Sequence, residues 1–207
     1  LISHECYECL CLAIEATSLT EGLFDITIGK RAEQRKRGDS EDECDRGKLV
    51  ITPNRPEIHC EEQGRELDLG GIGKGYTLDH LAGILNEWDI QSALLSSGAS
   101  THLAIGETAW PMQLAGDSSN TQIELKNMSL SSSGTSFQGS HIVAPLGRKN
   151  HLGHKNIWVI KQTAALSDAF STACFLMNRD ELEAFAAQSN EVKCLYAETE
   201  SEIIKIK

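Results

Sequence analysis

Leu67-Asp68-Leu69-Gly70-Gly71-Ile72-Gly73-Lys74-Gly75-Tyr76 reads as a short strand that runs into a glycine-rich turn and opens a helix. Leu78, Leu81, Ile84 and Leu85 continue at helical spacing on one face. A turn of this kind brings unencumbered backbone N–H groups to a helix N-terminus, where an anion is favoured. Lys74 adds a positive charge at the same place. The stretch is not a Walker A loop, because the earlier glycine is absent and Gly75 replaces the Ser/Thr that would hold magnesium; nor does it spell G-x-G-x-x-G. On its own it reads equally as a structural turn and as a phosphate cradle.

Upstream of this turn, residues 5–18 form an amphipathic helical pattern that stops near Thr20-Glu21-Gly22, and Leu23–Ile28 is a short apolar segment. Residues 30–48 juxtapose RKRG with DSEDECDRG and predict a charged surface loop. Strands are predicted at 49–52 and 57–60, separated by Pro53-Asn54-Arg55-Pro56, and again at 66–69. Downstream, strands are predicted at 92–95, 102–105, 122–125, 129–132, 157–160, 192–196 and 203–206. Helices are predicted at 164–177 and 180–188. Runs of strands interrupted by a few helices describe an α+β fold with a mostly antiparallel sheet, and no internal repeat is present.

Two further segments carry chemistry. In Leu166-Ser167-Asp168-Ala169-Phe170-Ser171-Thr172-Ala173-Cys174-Phe175, Asp168 and Thr172 are four apart and share a helix face. One reading makes Asp168 a capping residue near the helix start. The other makes the pair two oxygen ligands of a hard cation such as Mg²⁺, completed by phosphates and waters. Ser131-Ser132-Ser133-Gly134 and then Gly139-Ser140-His141-Ile142-Val143-Ala144-Pro145 form the last segment. His141 is structural on one reading and points into a cleft on the other.

The 207 residues hold 40% hydrophobic and 24% charged side chains, an ordinary globular composition. Thirty acidic against nineteen basic residues give a charge of −11, which disfavours nucleic-acid binding. No run of eighteen apolar residues is present to span a membrane. The chain begins Leu1-Ile2-Ser3-His4 with no leader pattern, so the default compartment is the cytoplasm. Seven cysteines cannot all pair within one chain; Cys6-x-x-Cys9 with Cys11 reads better as small hydrophobes on a helix than as half a zinc or redox site.

Taken in order, these segments resemble the ApbE-like flavin transferases (FAD:protein FMN transferases). Thr20–Gly29 is similar to T-G-G-x-F-D-P-T-V-G, and Leu67–Asp79 to D-L-G-G-I-A-K-G-Y-x-x-D. Ala93–Gly98 is similar to A-L-V-N-x-G-G-D, and Ser167–Thr172 to A-D-A-L-S-T. The likeness runs from residue 17 to about 178. It implies one ApbE-like (T-fold-like) layered domain over 1–207, lacking most of the family's N-terminal segment.

The implied activity is Mg²⁺-dependent transfer of FMN from FAD onto a Thr or Ser hydroxyl of an acceptor protein, releasing AMP. By resemblance Asp168 and Thr172 are the side-chain metal ligands, with the Gly71 carbonyl as a third. Leu23, Phe24, Asp25, Asp68, Lys74 and Ile142 contact FAD, and His141 is catalytic. Departures are Ala144 in place of an Asp and Gly98-Ala99-Ser100 in place of G-G-D. A member that binds flavin, a nucleotide or a protein partner without turnover is the alternative, as is an FAD pyrophosphatase. Family members are often exported to the cell envelope.

Overall fold

The computed structural model describes residues 1–38, 49–61, 66–117, 119–134, 142–144, 154–190 and 192–207. Ser3 caps the first helix, α1 (His4–Leu19), its hydroxyl accepting from the Cys6 N–H at 3.2 Å. The helix stops at Thr20, after which Gly22 adopts φ 78° and turns the chain. Asp25 then caps a single 3₁₀ turn (Ile26–Ile28) that leads into α2 (Gly29–Arg37).

That second helix corrects the loop expected over 30–48: residues 29–37 are helical, while 39–48 lie outside the described residues. A basic run without apolar periodicity conceals a solvated helix as readily as a loop. Here Ala32 is buried and Arg37 pairs with Glu33 one turn earlier at 3.0 Å.

The hairpin β1 (Leu49–Ile51) and β2 (Ile58–Cys60) follows. The strand expected at 66–69 is instead an irregular segment tied by two backbone bonds, Asp68 N–H to Ile26 O at 2.9 Å and Gly29 N–H to Glu66 O at 3.0 Å. Then come α3 (Gly73–Glu87), β3 (Ala93–Ser97), β4 (Thr101–Ile105), β5 (Trp110–Ala115), β6 (Asn120–Leu125), β7 (Ser129–Gly134) and β8 (Asn156–Lys161). The chain closes with α4 (Ala164–Phe175), α5 (Arg179–Gln188), β9 (Cys194–Glu198) and β10 (Ile203–Lys205).

Six strands form one antiparallel sheet in the order β10-β9-β8-β7-β4-β3. The fold is α+β. Helices α1, α3 and α4 lie on one face, and the β5–β6 hairpin covers the other. Central β8 is therefore buried along its length. Ile157 and Val159 pack towards the helices, and Trp158 and Ile160 towards the hairpin.

Buried between α1 and the sheet, α4 is sealed everywhere except at Thr172. Thr172 thus sits at the single opening of the helix, with Asp168 buried one turn before it. On α3 the expected apolar face is only partly used: Leu78 is buried, whereas Leu81 and Ile84 are exposed and Trp88 is 77% exposed. Among the described residues no helix is long and apolar enough to cross a membrane.

Candidate active site

A cavity of about 370 Å³ opens where the sheet end, the glycine turn and α4 meet. Every described residue proposed from the sequence lines it: Leu23, Phe24 and Asp25 after α1, Asp68 and Gly71 in the turn, Lys74 on α3, Asp168 and Thr172 on α4, and Ile142. His141 lies outside the described residues. The two departure positions sit close by. Ser100 lines the cavity and its carbonyl accepts from Ser132 N–H at 2.7 Å, while the Ala144 carbonyl accepts from Arg31 at 3.1 Å.

Asp168 is 2% exposed, and burial pushes its carboxyl above the usual aspartate range against the opposing pull of Lys74. Oδ1 accepts from Thr101 Oγ1 and faces Lys74 Nζ, both at 3.3 Å; Oδ2 accepts from Gly75 N–H, also at 3.3 Å. Each contact is at or beyond the long end of ordinary hydrogen-bond distances. A buried carboxylate so loosely held retains capacity for a stronger cationic partner.

The cap reading of Asp168 does not hold, because a different residue caps α4. The N-cap Thr163 makes no side-chain bond there, and Asp79 of α3 accepts from both Ala164 and Ala165 N–H at 2.8 Å. Asp79 closes the LDLGGIGKGYTLD stretch four residues beyond Gly75, so α3 clamps α4 twice along one face. Asp79→Ala is expected to lower stability by about 1–2 kcal/mol, a lost N-cap, measured by urea unfolding. An unchanged midpoint would assign the capping to other groups.

The glycine turn also differs from the phosphate cradle considered above. Gly70 N–H is held by Asp68 Oδ1 at 2.7 Å, Gly73 N–H by Leu69 O at 2.7 Å, and Gly75 N–H by Asp168. Those donors serve the protein. The glycines permit close approach instead: a Cβ on Gly71 would lie 3.1 Å from Thr172 Oγ1 and 3.0 Å from Phe24. The Gly71 backbone therefore passes beside the Thr172 hydroxyl, and Lys74 Nζ reaches back to Gly70 O at 3.0 Å.

Sequence reading gave no role to the hydroxyls that support this corner. Ser133 Oγ lies 2.8 Å from Ser171 Oγ and 3.4 Å from Thr172 Oγ1, and Thr101 is fully buried against Asp168. Their signal is the small-residue run SSSG opposite SDAFST, legible only once β7 is seen beside α4.

Beneath the turn at 98–100, His102 Nε2–H donates to Ala99 O at 3.3 Å, and Ser96 Oγ lies 2.8 Å from Nδ1. Burial lowers the His102 pKa from 6.5. The unfolded imidazole is then protonated first, so stability is lost as pH falls below 6.5 towards the lowered folded value. Urea midpoints should fall more steeply on mild acidification in the wild type than in His102→Gln; equal slopes would contradict this.

Among the described residues no three His, Cys, Asp or Glu side chains converge as a metal cluster. Cys9 is packed in the core, and burial pushes its thiol up to about 11, unsuited to a zinc thiolate. Cys6, Cys11, Cys60, Cys174 and Cys194 are also free thiols.

The FAD:protein FMN transferase of Buchnera aphidicola subsp. Schizaphis graminum is 22% identical over 227 residues, 94% of this chain and 67% of that protein. Flavin transferase ApbE from Vibrio cholerae superposes with a TM-score of 0.80 at 19% identity, covering 99% of this chain and 74% of its own. The apo flavinyl transferase ApbE of Pseudomonas stutzeri also gives 0.80, at 18% identity, over 99% and 72%. The ApbE protein from Thermotoga maritima gives 0.79 at 23% identity, over 99% and 76%. The structural likenesses establish the fold, and the ApbE family pattern matches residues 1–196, nearly the whole chain. The chain belongs to the ApbE family.

Proposed function

We propose that this chain transfers FMN from FAD to a Thr or Ser hydroxyl of an acceptor protein, with Mg²⁺, releasing AMP. The observation that carries the reading is the meeting of Asp168, Thr172, Gly71 and Lys74 at one corner of one cavity. The donor set suits Mg²⁺: a buried, loosely held carboxylate, a hydroxyl at the one opening of α4 and the Gly71 backbone passing beside that hydroxyl, whose carbonyl the resemblance gives as the third ligand. Lys74 already places an ammonium against Gly70 O and Asp168 Oδ1, so the corner accepts positive charge. When bound, the cation supplies neutralisation of charge on the diphosphate oxygens.

The chain's own residues do the rest. Leu23, Phe24, Asp25, Asp68 and Ile142 shape the space for the nucleotide, and Lys74 places its charge beside the diphosphate. The acceptor oxygen forms a bond to the FMN phosphorus, the bond from that phosphorus to the bridging oxygen breaks, and AMP departs. The acceptor's proton goes to a base, the role that resemblance gives to His141.

Purified protein incubated with FAD, Mg²⁺ and a candidate acceptor should release AMP only with the cation present and leave a fluorescent acceptor band on a denaturing gel. AMP without the band indicates FAD hydrolysis instead. An FAD-induced thermal shift without AMP indicates binding alone.

A further inference from the structure

We infer that Lys74 is an internal competitor for the cation site: its ammonium and a divalent cation exclude one another from Asp168, and a diphosphate relieves the competition by drawing Lys74 away. The inference rests on the reading of Asp168 and Thr172 as cation ligands given above.

The geometry has three parts. Lys74 Nζ lies 3.3 Å from Asp168 Oδ1 and donates to Gly70 O at 3.0 Å, so it sits among the oxygen atoms of the corner a hard cation would use. The remaining contacts to the Asp168 carboxylate come from neutral groups, Thr101 O–H and Gly75 N–H. Among the described residues, then, Lys74 is the full positive charge paired with this buried carboxylate. Finally, the Asp168 side chain is 3% exposed and that of Lys74 is 38% exposed. The carboxylate is fixed inside, while the ammonium stands at the mouth on a flexible stem that can swing outwards.

A divalent ion on Asp168 would stand within a few ångströms of that ammonium. Like charges at such range repel strongly unless one moves or is neutralised. Cation binding therefore carries the cost of breaking the Lys74–Asp168 pair and moving Lys74 aside. FAD changes the balance, because its diphosphate offers Lys74 another anion within the same cavity. Cation and FAD should consequently bind with positive coupling, each tightening the other by the same factor. Part of that coupling belongs to direct contact between the cation and the phosphates; the part carried by Lys74 disappears when its charge is removed.

The predicted sign is unusual for a residue of the site, since deleting it improves cation binding. The half-solvated position of Lys74 screens much of the repulsion, so the expected change is about tenfold. Mn²⁺ is a suitable probe, with free ion followed by electron paramagnetic resonance and the protein free of nucleotide. Lys74→Met should bind Mn²⁺ about tenfold more tightly than the wild type, Lys74→Arg should match the wild type, and Asp168→Asn should remove this binding. Added FAD should tighten Mn²⁺ by a larger factor in the wild type than in Lys74→Met. Lys74→Gln stands in if Lys74→Met fails a circular-dichroism check.

Binding to Lys74→Met that equals or falls below the wild type overturns the inference and leaves the cation site standing. Absence of Asp168-dependent Mn²⁺ binding in all variants overturns the cation reading and the inference with it. Binding seen in Lys74→Met but too weak to detect in the wild type supports the competition.

Discussion

Replacing Asp168 by Asn is expected to lower cation-dependent AMP release from FAD about 10³-fold, the loss that several kcal/mol of charge stabilisation implies. Asparagine keeps the shape and an oxygen able to accept from Thr101 Oγ1 or Gly75 N–H, so the packing of α4 should survive. It removes the charge. Burial is the largest influence on this carboxyl and raises its pKa, which means that the fold disfavours the ionised form. A neutral amide at this position should therefore leave thermal stability unchanged or slightly raised while activity collapses. That opposition separates a functional carboxylate from a structural one, whose loss would lower both.

Thr172→Val offers a graded comparison, since it preserves branching and removes the hydroxyl facing Ser133 and the cavity. About 10–100-fold loss is expected there, less than for Asp168→Asn because the lost oxygen is neutral. AMP release by Asp168→Asn at the wild-type rate, in protein of intact fold, would remove the carboxylate from the mechanism.

What the sequence made legible follows from how local each signal is. The helix at α4 is readable because a long, mainly apolar run broken only by two short polar pairs, Ser167-Asp168 and Ser171-Thr172, has few other interpretations, and the structure seals the helix apart from Thr172. The α2 helix was not readable, since mixed charge is compatible with loop and helix alike and only the burial of Ala32 separates them. Strand β5 is not among the strands expected from the sequence; it contains Pro111, which in a two-stranded hairpin faces Glu124 without needing a second ladder.

At the site, residue types were legible and partnerships were not. The spacing of Asp168 and Thr172 puts them on one helix face but leaves a cap and a cation pair equally open, and only the family resemblance selects between them. Nothing in the chain tells that Asp79 caps the helix bearing them, 85 residues away, or that Lys74 faces Asp168. The glycine turn stays open between structural turn and phosphate cradle for the same reason: its N–H groups look available until the carboxylates that engage two of them are placed.

Gly75→Ala tests the join between fold and site, because local propensity and tertiary packing predict opposite signs. Within a helix the change to alanine should stabilise by about 1 kcal/mol. Here the new Cβ would stand 2.0 Å from Ala164 O, 2.4 Å from its carbonyl carbon and 2.7 Å from Ala165 N. These are backbone atoms of the first turn of α4, whose N–H groups Asp79 ties to the same face of α3, so they cannot yield as a side chain would. Overpacking of this kind costs about 1–3 kcal/mol, sometimes more, and should exceed the propensity gain.

Opening the gap between α3 and α4 also moves Lys74 and Gly71 away from Asp168 and Thr172. A misplacement of about 1 Å is enough for roughly 10²-fold in rate. Gly75→Ala is therefore expected to unfold at lower urea concentration and to release AMP about 100-fold more slowly. Gly83, two turns along the same helix, supplies the contrast: a Cβ there meets nothing within 4 Å. Gly83→Ala should hold or raise the urea midpoint, by up to about 1 kcal/mol, with activity intact. Should both alanine variants shift the midpoint in the same direction, the close crossing of α3 over α4 is not what positions this site.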